Sequence, residues 1–484
     1  MIFLRRLVLS LMVVAAAVVL IRPPHRAAAP PAGFVVVEYW EKWTGQEAAL
    51  MQQIVDDFNN TQGRQEKIFV SYLSMSSIDK KTMAAAAAGV GPDIAGLWDE
   101  VLPQFASLGA LLPLDELAGA KGITSDLYKP IFWRGCSYRG HLYALVATPA
   151  DYALHFNKLI FYQNAAKLRA AGLDPTRAPR TIAELDRYAK ALDVFVSDGA
   201  GHQRLERAGY MPMEPVGVLN HTCFYFGGQL FDEQAGRFTL TSPQVLRTYD
   251  WIRSYAARLG PELVSDFRSG LDVFDSPHNP FITGKLAMEL EGPWMANTIY
   301  RYDPDMSQVL VPTVLEAYLP RVVRPFNYAW GVAPMPSDVD GVHSVTYAGA
   351  DLLVIPRAAK HPREAFEFMC FVNRQEEMEK LCSLHCKPSP LRETSPHFLL
   401  AHPNPYIGVF DELASSPNAH GTPQVEIWPQ ARDELANMAQ EIYLQDDRTQ
   451  PQIGTMDVLR RSQERLQQAY DRFRQSQELR GEGH

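Results

Sequence analysis

Cysteine is scarce: Cys136, Cys223, Cys370, Cys382 and Cys386 are spread irregularly over 484 residues, which excludes a disulfide scaffold and leaves at least one thiol unpaired in a monomer. Cys382-x-x-x-Cys386 encloses His385, but no second ligand pair follows it, and His397 and His402 stand five apart among prolines. Buried thiols, or one disulfide between Cys382 and either neighbour, are therefore expected in place of a metal site. Positive charge is also short, with 46 Lys and Arg against 55 Asp and Glu, a net charge of −9 and a pI near 5.8. A chain without a basic stripe does not neutralise phosphates, so nucleic acid is excluded as a partner. Walker, H-E-x-x-H and G-x-S-x-G motifs are absent; Gly89-x-Gly91 has Ile94 where a dinucleotide loop needs its third glycine, and Pro92 removes an N–H. There is no internal repeat. No cofactor is expected. The apolar run Leu7–Ile21 behind Arg5 and Arg6 is short for a spanning helix and reads as an export segment, residues 1–32 in all.

A hydrophobic fraction of 46% with 21% charged residues describes a globular chain, and its length exceeds what one ordinary core serves, so two lobes are expected. Phe34–Trp40 is a strand pattern, and Thr44-x-x-Glu47 behind it is a capping box for a helix with Leu50, Met51, Ile54, Val55 and Phe58 on one face. Strand Ile68–Leu73, a helix through Ala84–Ala88 stopped by Gly89, and strand Ile94–Trp98 continue the alternation. Strands separated by helices predict a mostly parallel α/β sheet with right-handed crossovers. The pattern restarts after Pro149, with strand Tyr152–Asn157 and a helix over Ile182–Val194 behind Pro179-Arg-Thr181. Asp272–Pro280 and Pro403–Pro423 read as loops, and Arg460–Arg480 as a solvated helix of mixed charge.

The most informative stretch is Phe281-Ile-Thr-Gly284-Lys285-Leu-Ala-Met288-Glu-Leu-Glu291-Gly292-Pro293-Trp294. Leu286, Met288 and Leu290 alternate with Ala287 and Glu289, the pattern of a strand with one buried face. Gly292-Pro293 ends it, and Pro293 suits a first helical turn. Trp294 then falls where a strand's carboxyl end meets a helix N-terminus, which is where open α/β sheets place ligands.

This block resembles the F-x-x-G-K-x-A-M-x-x-x-G-x-W segment of the family 1 extracellular solute-binding proteins, the receptor subunits of bacterial ABC sugar importers. The likeness continues in order through Trp40-Glu-Lys-Trp43-Thr44-Gly45, Gly91-Pro92-Asp93-Ile94, Trp98-Asp99, Leu108-Gly109, Phe156-Asn157-Lys158, Phe226-Gly227-Gly228, Trp330-Gly331 and Ile355-Pro-Arg, over most of residues 33–484. It implies a two-lobed Venus-flytrap α/β fold, each lobe a mostly parallel sheet flanked by helices. Residues 33–149 with 350–376 would form lobe 1, and 150–349 with 377–484 lobe 2, with crossings near Pro149, Gly349 and Arg374 as the hinge. It implies a monomeric, exported receptor at the periplasmic or extracellular face of the membrane that hands its ligand to ABC permease subunits. The family often carries a lipoprotein cysteine near the start. Here the first cysteine is Cys136, and Ala27-Ala28-Ala29 before Pro30 leaves both a cleaved signal and a retained anchor open.

A sugar shows apolar ring faces and hydroxyl rims, so its site needs aromatic plates and hydrogen-bonding side chains. Trp43, Trp98, Tyr152 and Trp294 fall just past predicted strand ends, with Asp99, Asp151 and Glu291 beside them. Gly227 and Gly228 resemble the family's backbone approach point, and Tyr347 lies at the expected hinge. Trp40 continues its strand's alternation and is expected in the core, as are Trp133, Trp251 and Trp428. The expected function is capture of a sugar, oligosaccharide or polyol, with no catalytic residue. A saccharide sensor without transport is the alternative, and a glycoside hydrolase the less favoured one.

Overall fold

The structure is a computed structural model that describes residues 30–197, 203–214, 219–269, 271, 275–307, 328–445, 453–479 and 481. The export segment Leu7–Ile21 lies outside the described residues, as does the start of the Asp272–Pro280 loop. The strands that build the two principal sheets are β1 (Val35–Glu41), β2 (Ile68–Ser74), β3 (Ile94–Trp98), β4 (Ala144–Asp151), β5 (Ala153–Asn157), β6 (Met288–Glu291), β7 (Trp330–Ala333), β8 (Thr346–Val354) and β9 (Ala419–His420). In the first sheet β1 runs parallel to β2 and β3, with Val37 opposite Val70 and Tyr39 opposite Ile94. Helix α1 (Gly45–Asn60) makes the first crossover and buries the predicted stripe Leu50, Met51, Ile54, Val55 and Phe58. β8 joins antiparallel to β3 and β4, and β9 adds to its start in parallel.

The second sheet departs from the parallel expectation. β5 lies between β6 and β7 and is antiparallel to both. Both of its faces are covered: Leu154, Phe156, Met288 and Leu290 enter the second core, whereas Ala153, Trp330 and Val332 enter the first. The period-2 pattern of β6 therefore marks two buried faces and not one, and Glu289 and Glu291 are both buried. Helix α2 (Ile182–Leu192) starts as its sequence predicts, with the Thr181 hydroxyl accepting from the Glu184 N–H at 3.0 Å. Helix α3 (Met295–Tyr302) follows β6 directly, and Trp294 occupies its N-cap position.

Two cores result, one around Val37, Ile54, Leu97, Leu145 and Leu352, the other around Leu154, Leu185, Tyr188, Ile252 and Leu435. The chain stays in the first core well past residue 376, where the sequence placed a crossing at Arg374. Met378, Leu381 and Cys382 of α4 (Gln375–Leu384) pack there, as do Phe398 and the residues of α5 (Ile407–Ala414). Pro403–Pro423 is thus not all loop: Ile407, Phe410, Leu413 and Ala414 recur at helical spacing and bury one face of α5 among the flanking polar residues. The passage to the second core comes between Ala414 and Val425, through β9. Helix α6 (Trp428–Tyr443) and helix α7 (Thr455–Leu479) belong to that second core. Val458, Leu459, Leu466 and Tyr470 bury one side of α7, so its charges solvate only the other.

Candidate functional site

Four strand ends converge. After β1 come Lys42, Trp43 and Thr44; β3 ends on Trp98, with Asp99 and Glu100 next; Tyr152 follows β4; and Trp294 follows β6. With Tyr347, Gly349, Ala350 and Asp351 of β8, Lys387 beyond α4, and His221 and Arg432 from the second core, they line a cavity of about 380 Å³. That volume lies within the usual range of small-molecule sites. The walls are aromatic: Tyr152 packs edge-on to Trp294 at 6.3 Å and tilted on Tyr347 at 5.2 Å, while Trp43 lies 4.7 Å from the His385 ring.

Beneath the indoles is a closed charge network. Asp351 accepts from Lys387 Nζ at 2.8 Å and from the Thr148 hydroxyl at 2.7 Å, and pairs with Lys42 Nζ at 3.1 Å. Lys42 also donates to Glu41 at 3.3 Å and to the Leu97 carbonyl at 3.2 Å. Burial alone would raise the Asp351 pKa; the Lys387 and Lys42 ammoniums outweigh it and hold this carboxyl well below the usual range. The same ammoniums sit close to the plates, Lys42 5.1 Å from Trp43 and 5.4 Å from Trp98, Lys387 5.7 Å from Trp43 and 5.5 Å from Trp294. The cation–π attraction helps fix the indoles before any ligand arrives. Glu100 and Arg432, both in the cavity lining, pair with each other and tie the two cores together.

Asp99 behaves differently. Burial pushes its carboxyl up to about 8, with Glu100 and Asp351 adding to the shift and the N–H groups of Ala350 and Glu100 opposing it. Between the unfolded value of about 3.9 and that value the folded protein holds a proton the unfolded chain has released, so Asp99 makes stability fall as pH rises. Asp99→Asn, which keeps a side-chain acceptor but does not titrate, is expected to gain roughly 1–3 kcal/mol over the parent at pH 8 and little at pH 4. Urea unfolding at the two pH values measures this; equal gaps at both would contradict it.

Of the residues expected from sequence, the cavity gathers Trp43, Trp98, Asp99, Tyr152, Trp294 and Tyr347. Asp151 is elsewhere. Neighbouring residues at a strand end project to opposite sides, and with Tyr152 in the cavity Asp151 is fully buried, its oxygens without hydrogen-bond partners and its charged neighbours Lys129 and Asp411. Glu291 lies behind the wall, where it accepts from the Gly292 N–H at 2.7 Å and from the Trp294 side chain, and so orients the indole from behind. Gly227 and Gly228 are also away from the cavity. Gly227, at φ +70°, closes the turn His221–Phe226 and faces Val339, and Gly228 packs on Val245.

Thr44 takes the N-cap position of α1, but its side chain makes no cap hydrogen bond. The expected capping box is not formed: Thr44 and Glu47 line the cavity instead. Sequence reasoning also missed Lys42, His221, Lys387 and Arg432. Lys42 stands between Glu41 and Trp43 in a stretch already singled out, whereas the other three come from segments far apart in the chain and carry no local signal. Trp251 and Trp428 are in the core and Trp40 and Trp133 pack against it. All five cysteines are free thiols, so the disulfide alternative is not formed. Among the described residues no group of three or more His, Cys, Asp or Glu is arranged to hold a metal ion, and no helix is long and apolar enough to cross a membrane.

The fold has solved counterparts. CpMnBP1 with mannobiose bound superposes with a TM-score of 0.71 at 23% identity, covering 89% of this chain and 98% of that one. UgpB from Mycobacterium tuberculosis, in complex with glycerophosphocholine, gives 0.67 at 20% identity over 91% and 99%. In sequence, the maltotriose-binding protein of Pyrococcus abyssi is 21% identical over 295 residues, 60% of this chain; the match spans only 56% of that relative's length. The profile of the family described as bacterial extracellular solute-binding protein matches residues 53–391, more than half of the sequence. The chain belongs to the bacterial extracellular solute-binding proteins.

Proposed function

We propose that this protein captures a neutral saccharide or polyol in the cavity between its two cores, outside the cytoplasm, and presents the closed form to ABC permease subunits. The observation that carries the reading is the cavity wall: Trp43, Trp98, Tyr152, Trp294 and Tyr347 around cationic groups that already have carboxylate partners. Lys42 and Lys387 have Asp351, and Arg432 has Glu100. Rings of this kind stack on sugar faces, and a charge-matched floor favours an uncharged ligand over a phosphodiester. Maltotriose and mannobiose, named for the relatives above, are the first ligands to try.

A hydrolase needs two carboxyl groups free to act on the ligand. Asp351 is held by two ammoniums and a hydroxyl, Glu100 by Arg432, and Asp99 by backbone N–H groups, which supports binding without turnover. A sensory receptor remains the alternative, and a permease gene beside this one separates the two. A bound saccharide at about 100 times its dissociation constant is expected to stabilise the protein by roughly 2.7 kcal/mol and to be recovered unchanged. Thermal shift across a saccharide and polyol panel tests this, and silence there with a response to peptides or metal ions would overturn it.

A further inference from the structure

Two polar groups that no motif marks face the cavity from opposite cores. Lys387, beyond α4, donates from Nζ to the Thr148 hydroxyl at 2.8 Å and to Asp351 at 2.8 Å. An ammonium carries three protons, and the third has no oxygen acceptor among the described residues. The side chain is only 5% exposed, so bulk water does not serve it, and it lines the cavity with Nζ 5.7 Å from the Trp43 ring and 5.5 Å from the Trp294 ring.

His221 opens the turn His221–Phe226 in the second core. Its ring lies flat on Tyr347, with centroids 3.7 Å apart and planes 7° apart. Nδ1 is enclosed without a hydrogen bond, 3.5 Å from Glu214 Oε2, while Glu214 itself accepts from the Thr222 N–H and hydroxyl and the Asn220 N–H. With Nδ1 turned inward and the ring lining the cavity, Nε2 is the nitrogen left for a ligand.

We propose that Lys387 and His221 are a specificity-determining pair: Lys387 donates to one ligand oxygen, His221 Nε2 hydrogen-bonds a hydroxyl, and one uncharged saccharide spans both cores. This rests on the saccharide reading. Contacts of this kind exist only when the cores are close together, so they supply the differential affinity that closure requires. Burial holds the His221 pKa down to about 3, so the ring stays neutral and suits a hydroxyl better than a phosphate.

Lys387→Met keeps the apolar stem, and leaves Asp351 with Lys42 and Thr148. His221→Phe keeps the stack on Tyr347 without the nitrogens, and His221→Gln keeps a hydrogen-bonding head. Titration with maltotriose and mannobiose, followed by tryptophan fluorescence, is expected to show affinity about 10- to 100-fold weaker in Lys387→Met and His221→Phe. Partial recovery is expected in His221→Gln, and ligand-free melting of His221→Phe close to the parent. If the parent binds and the variants match it within about twofold, the pair is wrong and the saccharide reading stands. If the parent binds neither sugar nor any panel member, both fall together. Should Lys387→Met fail to fold, the two His221 variants decide alone.

Discussion

Replacing Asp351 with alanine is expected to cost about 3–5 kcal/mol of folding stability, the largest single-site effect in the cavity region. Lys42 and Lys387 are 3% and 5% exposed, and Asp351 is the carboxylate they share. Without it Lys387 keeps only a hydroxyl, and Lys42 only Glu41 and a carbonyl. An ammonium left buried without its counter-ion is costly because neither water nor a partner replaces the lost charge. The parent has a matching acid signature. The folded Asp351 pKa is depressed, so its contribution is fully present above the unfolded value of about 3.9 and is lost as pH falls from there through the folded value. Denaturant unfolding at pH 7 and pH 3 measures both effects; a variant within 1 kcal/mol of the parent at pH 7 would remove Asp351 from the centre of the network.

Trp98→Ala is expected to lower saccharide affinity by about 2 kcal/mol or more, roughly 30-fold, while scarcely changing the ligand-free melt. Trp98 is 38% exposed at the end of β3, so its indole leaves water only when a ligand stacks on it. Trp294→Ala is expected to lose as much binding with a moderate folding cost, since this half-buried indole also packs against the second core and contacts Glu291. Trp330 gives the opposite case. It is fully buried, stacked on His155 and edge-on to Tyr406, and its truncation is expected to cost about 3–5 kcal/mol of stability. Melting and titrating all three variants tests the contrast. A Trp98 variant that melts early yet binds at full strength would move that residue into the core.

What was legible in the sequence follows from how local each signal is. β1 and α1 were readable because their buried faces repeat at 2.0 and 3.6 residues, and Trp294 was readable because Gly292-Pro293 marks a strand-to-helix change. Antiparallel pairing in the second sheet was not, because β5 bonds to strands more than a hundred residues away and period-2 alternation carries no direction. The same alternation led Glu289 to be placed at a solvent face, whereas it pairs in register with His155, whose ring packs against Phe410 of α5. Proline and serine hid α5, whose four buried residues set the end of the first core. At the site, aromatic residues past strand ends were visible one at a time, whereas Asp351, Lys387, His221 and Arg432 meet only through tertiary contacts. The capping box is not formed where Thr44 and Glu47 line the cavity, a departure from a local rule of the kind expected at functional positions.

The most direct test of the account is a crystal structure of the protein grown with whichever panel saccharide gives the largest thermal shift. A sugar ring is expected in the cavity, stacked on Trp98 or Trp294, with protein contacts from both cores and the glycosidic bonds intact. A sugar bound elsewhere on the surface, or held by one core alone with the indoles untouched, would contradict it.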